Sequence, residues 1–272
     1  MAAESIGSST PRLRKIRGWP GAVVIALAAL CPGLVNAAAD EIQVYIDDVL
    51  PRGERGLELH TNYVTRGRSM PDYPGEKAPA HILRVTPEFS FGLGNNWDWG
   101  IYLPFSADEG SRSTFMDDAK LRVKHLIKHE RDGASEFYGA NLEIAHSPRR
   151  VSASKWNGEL RGIAGMRRGP WLFAVNPILS TPLSASTAGS TVDFDIDVKI
   201  SREVGRGVTL GLENYSELGP LRRPAFGAES SQATFATLDF EGKGWDVNFG
   251  LGRGWKANSD RNILKMIVGL PF

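Results

Sequence analysis

Apolar and polar residues alternate one by one along most of the chain beyond residue 55. In "VDFDIDVKI" (192–200), Val192, Phe194, Ile196, Val198 and Ile200 alternate with Asp193, Asp195, Asp197 and Lys199. In "LRVTPEFSFGL" (83–93), Leu83, Val85, Pro87, Phe89, Phe91 and Leu93 share one face, while Arg84, Thr86, Glu88 and Ser90 share the other. A period of two places one side of each segment against an apolar medium and the other against a polar one, which predicts β-strands. The pattern predicts twelve: 56–65, 82–93, 97–106, 117–127, 136–145, 155–166, 171–180, 191–201, 208–216, 232–241, 245–253 and 260–272.

The gaps between these segments alternate in length. Residues 66–81, 107–116, 181–190 and 217–231 are long, whereas "GNN" (94–96), "RRGP" (167–170) and "GKG" (242–244) are tight. The segment 128–135 is long for its place in that alternation. Short turns at one end and long loops at the other are expected of an antiparallel transmembrane β-barrel with an even strand count. A secreted β-sandwich is the alternative all-β fold, but it has no reason to sort its loops by length. The last segment, "NILKMIVGLPF" (262–272), fits the barrel: Leu264, Met266, Val268, Leu270 and Phe272 form one apolar face, and Lys265 has the opposite phase. This ending resembles the signal read by the outer-membrane barrel-assembly machinery, a partner expected to act by strand addition.

Composition narrows the class further. Hydrophobic residues make up 42% of 272, with 30 glycines, and the mean hydropathy is −0.23; both disfavour a bundle of apolar helices. Arg12, Arg14, Lys15 and Arg17 precede the short apolar run "GAVVIALAALC" (21–31) and the small residues of "PGLVNAAADE". That layout predicts a secretory signal over 1–39, cleaved after Ala37 or Ala39. Cys31, the single cysteine, follows Leu30 rather than a small residue, so a lipid anchor is not expected. Removing residues 1–39 takes four of 32 basic and one of 31 acidic residues, leaving 28 against 30. The balance gives no case for nucleic acid as a partner. Residues 40–55 form an acidic lead-in, expected either to enter the lumen as a partial plug or to remain in the periplasm, and 56–272 form the barrel.

Four stretches, "GLELHTNYV" (56–64), "RVTPEFSFGLGNNWDWGIYLP" (84–104), "GLENYSELGP" (211–220) and "SDRNILKMIVGLPF" (259–272), resemble a proteobacterial group of outer-membrane β-barrels. That group is allied to the porin-like proteins named for the meta-pathway of phenol degradation. The likeness runs over most of the chain after the signal. It implies a Gram-negative outer-membrane location and passage of small molecules, and it supplies no catalytic residues.

If the apolar face meets lipid, the polar face lines the lumen. Its candidate lining residues are Arg84, Glu88, Lys120, Arg122, Lys124, Glu143, Glu159, Arg161, Asp193, Asp195, Asp197, Lys199 and Glu213. The fourth predicted strand is basic and the eighth mostly acidic. Opposed across a narrow pore, they would set up a transverse field favouring dipolar solutes. The expected function is a narrow or gated pore for small polar or aromatic solutes. The alternatives are a closed structural barrel, or one adhering through 66–81 and 217–231, and an outer-membrane hydrolase. Hydrolysis needs a nucleophile, a base and an orienting group together. His60, His81, His125, His129 and His146 sit in no such motif, and none forms a histidine pair at strand spacing. No enzyme activity, metal or cofactor is therefore expected.

Overall fold

A computed structural model describes residues 41–129, 135–184, 191–226 and 230–271. The predicted signal over 1–39 and the terminal Phe272 lie outside the described residues.

Among the described residues, fourteen strand segments form the wall: β1 (Arg55–Arg66), β2 (Ile82–Gly94), β3 (Trp97–Tyr102), β4 (Phe105–Asp108), β5 (Ser113–Met116), β6 (Ala119–Lys128), β7 (Glu136–His146), β8 (Trp156–Arg168), β9 (Trp171–Pro182), β10 (Asp193–Gly205), β11 (Val208–Pro220), β12 (Ser231–Glu241), β13 (Asp246–Gly254) and β14 (Asn262–Pro271). Each pairs antiparallel with its neighbours, and β1 pairs with both β2 and β14, so the sheet closes. Closure satisfies the backbone groups that an open edge would leave bare in lipid.

The wall has twelve staves, because β3 with β4 and β5 with β6 are each one crossing interrupted near the outer end. The sequence pattern predicts unbroken strands at 97–106 and 117–127 with a loop over 107–116. Instead, β4 and β5 carry the crossing outward and only 109–112 connect them. Pro104 has no N–H to give the ladder, but its carbonyl accepts from Asp117 N–H at 2.8 Å across the break. The Asp117 side chain turns inward to Arg84 at 3.1 Å. The loop predicted over 217–231 also shrinks, since β11 continues to Pro220.

Turn lengths sort by end with two exceptions. Asn95–Asn96, 169–170, 206–207 and 242–245 link strands at the end where β1 begins, while 67–81, 147–155, 183–192 and 221–230 link them at the other; 109–112 is short for the long-loop end, and 129–135 is long for the short-turn end. In the first of these turns Gly94, Asn95 and Asn96 all take positive φ, a conformation that glycine and asparagine enter most easily. The exterior is apolar: Leu142, Leu160, Leu212, Leu251 and Leu264 are all exposed. Trp97, Trp171 and Trp245 cluster at the short-turn end, and Trp156, Trp255 and Phe105 toward the long-loop end. An apolar band between aromatic girdles is the surface a bilayer requires.

Candidate functional site

Residues 41–54 lie inside the barrel and run from Ile42, beside the upper parts of β1, β12 and β14, down to the short-turn rim. Two apolar patches on the inner wall receive them. Val44, Tyr45 and Val49 pack with Leu126, Phe137, Ile163, Leu172 and Ala174. Ile42 packs near Val64, Phe235 and Ile263. The inner face is thus not polar throughout, because part of it meets the chain's own lead-in rather than water.

Polar contacts fix the register of this segment. Tyr45 N–H donates to Asn176 Oδ1 at 2.6 Å, and Asn176 Nδ2 donates to the Tyr45 carbonyl at 3.0 Å, so one side-chain amide satisfies both backbone groups of Tyr45. The Tyr45 hydroxyl donates to Glu143 at 3.2 Å and lies 2.7 Å from the Tyr102 hydroxyl. The Arg161 guanidinium covers the Tyr45 ring at 4.6 Å and donates to the Gln43 carbonyl at 3.1 Å. Lower down, Arg167 pairs with Asp47 at 2.6 Å, and Leu50 N–H reaches Asp98 at 3.3 Å. At the rim, Gly53 N–H donates to the Gly92 carbonyl and Gly92 N–H to the Glu54 carbonyl, both at 2.9 Å. A Cβ on Gly92 would stand 1.9 Å from the Pro51 carbonyl oxygen, so only glycine permits this approach.

Above the segment, toward the long loops, lies a cavity of about 420 Å³. Glu41 and Ile42 border it from below, and Arg68, Asp118, Glu217 and Asp260 are among its outer lining. Its volume suits a small molecule. The charges around it are unequal. Glu41, Asp118, Glu143, Glu159, Asp193, Asp195, Asp197, Glu217 and Asp260 face Arg68, Arg84, Lys120 and Arg161. Among the described residues, no ion pair reaches Asp193 or Asp195. Burial raises the carboxyl pKa of Asp260, in the β13–β14 loop, although Arg68 N–H donates to it at 3.0 Å.

Every candidate lining residue from the sequence stands on the inner face, buried or half-buried. The structure groups them by neighbourhood rather than into two facing walls. Arg122 pairs with Glu88 at 2.7 Å and with Asp98. Lys120 pairs with Glu143 at 3.4 Å, and Lys124 with Asp48 at 3.4 Å and Asp98 at 3.7 Å. Arg161 lies between Glu159 at 3.0 Å and Asp197 at 3.6 Å. Lys199 joins Glu213 at 3.2 Å and Asp239 at 3.3 Å, and Lys265 also binds Glu213. The expected transverse field is therefore largely cancelled between charges no more than three staves apart, since buried charges are costly without partners. What survives is the acidic excess around the cavity. Sequence reasoning passed over Tyr45, Asp98, Asn176 and Tyr102, whose roles depend on residues far along the chain. The inward phase of Asp98 on its strand is the one signal that could have found it.

No family model matches the chain, and no curated protein matches it. Solved structures do. The outer membrane channel COG4313 from Pseudomonas putida F1 superposes with a TM-score of 0.57 at 11% identity, covering 85% of this chain and 100% of that one. The KdgM porin gives 0.55 at 8% identity over 80% of this chain and 99% of its own. The NanC porin gives 0.52 at 10% identity over 79% and 98%. The fold is that of Gram-negative outer-membrane β-barrels.

Proposed function

We propose that this protein is an outer-membrane channel for small solutes, entered from an acidic outer vestibule and closed below by residues 41–54. One observation carries the reading: a cavity of about 420 Å³ that ends on Glu41 and Ile42 of the chain's own lead-in. A purely structural barrel has no need of a molecule-sized vestibule above a separately seated segment. The similarity to a channel and two porins supports the same reading. The acidic excess favours cationic or zwitterionic solutes over anions. Histidines outside any nucleophile arrangement favour transport over catalysis.

Selectivity tests this. In planar bilayers, the reversal potential of the protein under a salt gradient should show cation preference. Asp193→Asn with Asp195→Asn should reduce that preference, because these carboxylates lack a paired cation. Anion preference, or a reversal potential untouched by the double substitution, would count against the vestibule as the path.

A further inference from the structure

We infer that Glu58, His60 and Glu88 form a binding site for one divalent transition-metal ion of the zinc type. Glu58 and His60 are two apart on β1 and so share its inner face. The β1–β2 register sets Glu88 directly opposite Glu58. The three side chains offer ligand atoms all within 4.8 Å of one another. His60 Nε2 lies 3.1 Å from Glu88 Oε2 and 3.6 Å from Glu58 Oε2. A tetrahedral ion with bonds of about 2.1 Å sets its ligand atoms about 3.4 Å apart, so these edges already have the right size. An imidazole with two carboxylates suits zinc better than calcium or magnesium, which take oxygen donors.

Charge points the same way. Around the cluster, Asp48, Glu58, Glu88 and Asp98 face Arg122 and Lys124. Glu41 also acts on His60, so carboxylates outnumber cations around the cluster when His60 is neutral, an excess that a divalent ion reduces. Among the described residues, Glu58 has His60 as its ion-pair partner and makes no salt bridge to a lysine or arginine. Arg122 and Ser90 donate to Glu88 Oε1, leaving Oε2 directed at His60. Outer hydrogen bonds of this kind orient a metal-binding carboxylate. The Glu58 side chain keeps 29% of its surface exposed and so gives the ion an entry. Gln43 Nε2 on the lead-in donates to Glu58 Oε2 at 3.5 Å.

The competing arrangement is a protonated His60 held between two carboxylates, and cobalt separates the two. Titrating the detergent-solubilised full chain with Co²⁺ should give visible d–d bands saturating at one ion per chain and displaced by Zn²⁺. Glu58→Gln, which preserves shape, should weaken binding at least tenfold. His60→Ala should abolish it. Heat-dependent gel mobility shows that each variant is a folded barrel. The absence of a saturable spectrum, or equal affinity in the wild type and a folded Glu58→Gln variant, would overturn the site.

Discussion

Asn176 holds both backbone groups of Tyr45, on the lead-in, where no strand lies beside it. Its two hydrogen bonds to Tyr45 are buried, and each contributes about 1 kcal/mol net. Asn176→Ala would also leave the Tyr45 N–H and carbonyl without partners. The substitution should destabilise the seated segment by about 2 kcal/mol or more, measured as a higher open probability in single-channel records. An unchanged open probability would show that the apolar contacts alone hold the segment. Nothing in "WLFAVNPIL" marks this asparagine, because its partner lies 131 residues away. Phase along a strand tells which face a side chain takes, and Arg122 and Glu213 are both buried. Phase does not tell what that face meets. Glu58, His60 and Glu88 illustrate the same limit, since a metal triad assembled across two strands leaves no contiguous motif in either.

Among the elements, the lead-in carries the greatest functional weight. Its acidic beginning adds a pH dependence. Glu41 is half-buried, and both of its carboxylate oxygens are screened from solvent without a hydrogen bond. Burial first, then the nearby Glu143, push its pKa up to about 7, against the pull of Lys120, His60 and Arg161. A released segment would ionise this group at the ordinary carboxylate pKa near 4.5. The seated form therefore binds more protons over that interval, and its stability falls as pH rises from about 4.5 to about 7, then levels. Open probability should climb across the same window and lose that slope in Glu41→Gln; an identical slope in the variant would exclude this group. The β-strands themselves were legible from alternation, but the interruption at Pro104 and Asp117 was not. That interruption rests on a bond between the two broken staves, and alternation reports only on single strands. The lead-in could be read as a plug or a tail because its partners are inner-wall residues that face inward whether or not anything occupies the lumen.

At the scale of the molecule, closure, lipid-facing exterior and internal ion pairing act together. On β14, Leu264, Met266 and Leu270 face outward and exposed, while Lys265 is buried against Glu213. An arginine at Met266 would place a charge in the apolar band, costing about 2–4 kcal/mol near the bilayer midplane. Urea unfolding from lipid vesicles should register that loss; stability equal to wild type would place Met266 outside the hydrocarbon. The closed barrel was legible because lipid imposes its demand on every strand alike. The state of the lumen was not, since it depends on how one short segment packs against many staves at once. Planar-bilayer conductance of the protein with and without residues 41–54 tests the channel reading most directly. The account predicts low or intermittent conductance with the segment present and a larger, steady conductance once it is removed. Equal conductance of the two, or none from either at any voltage, would contradict it.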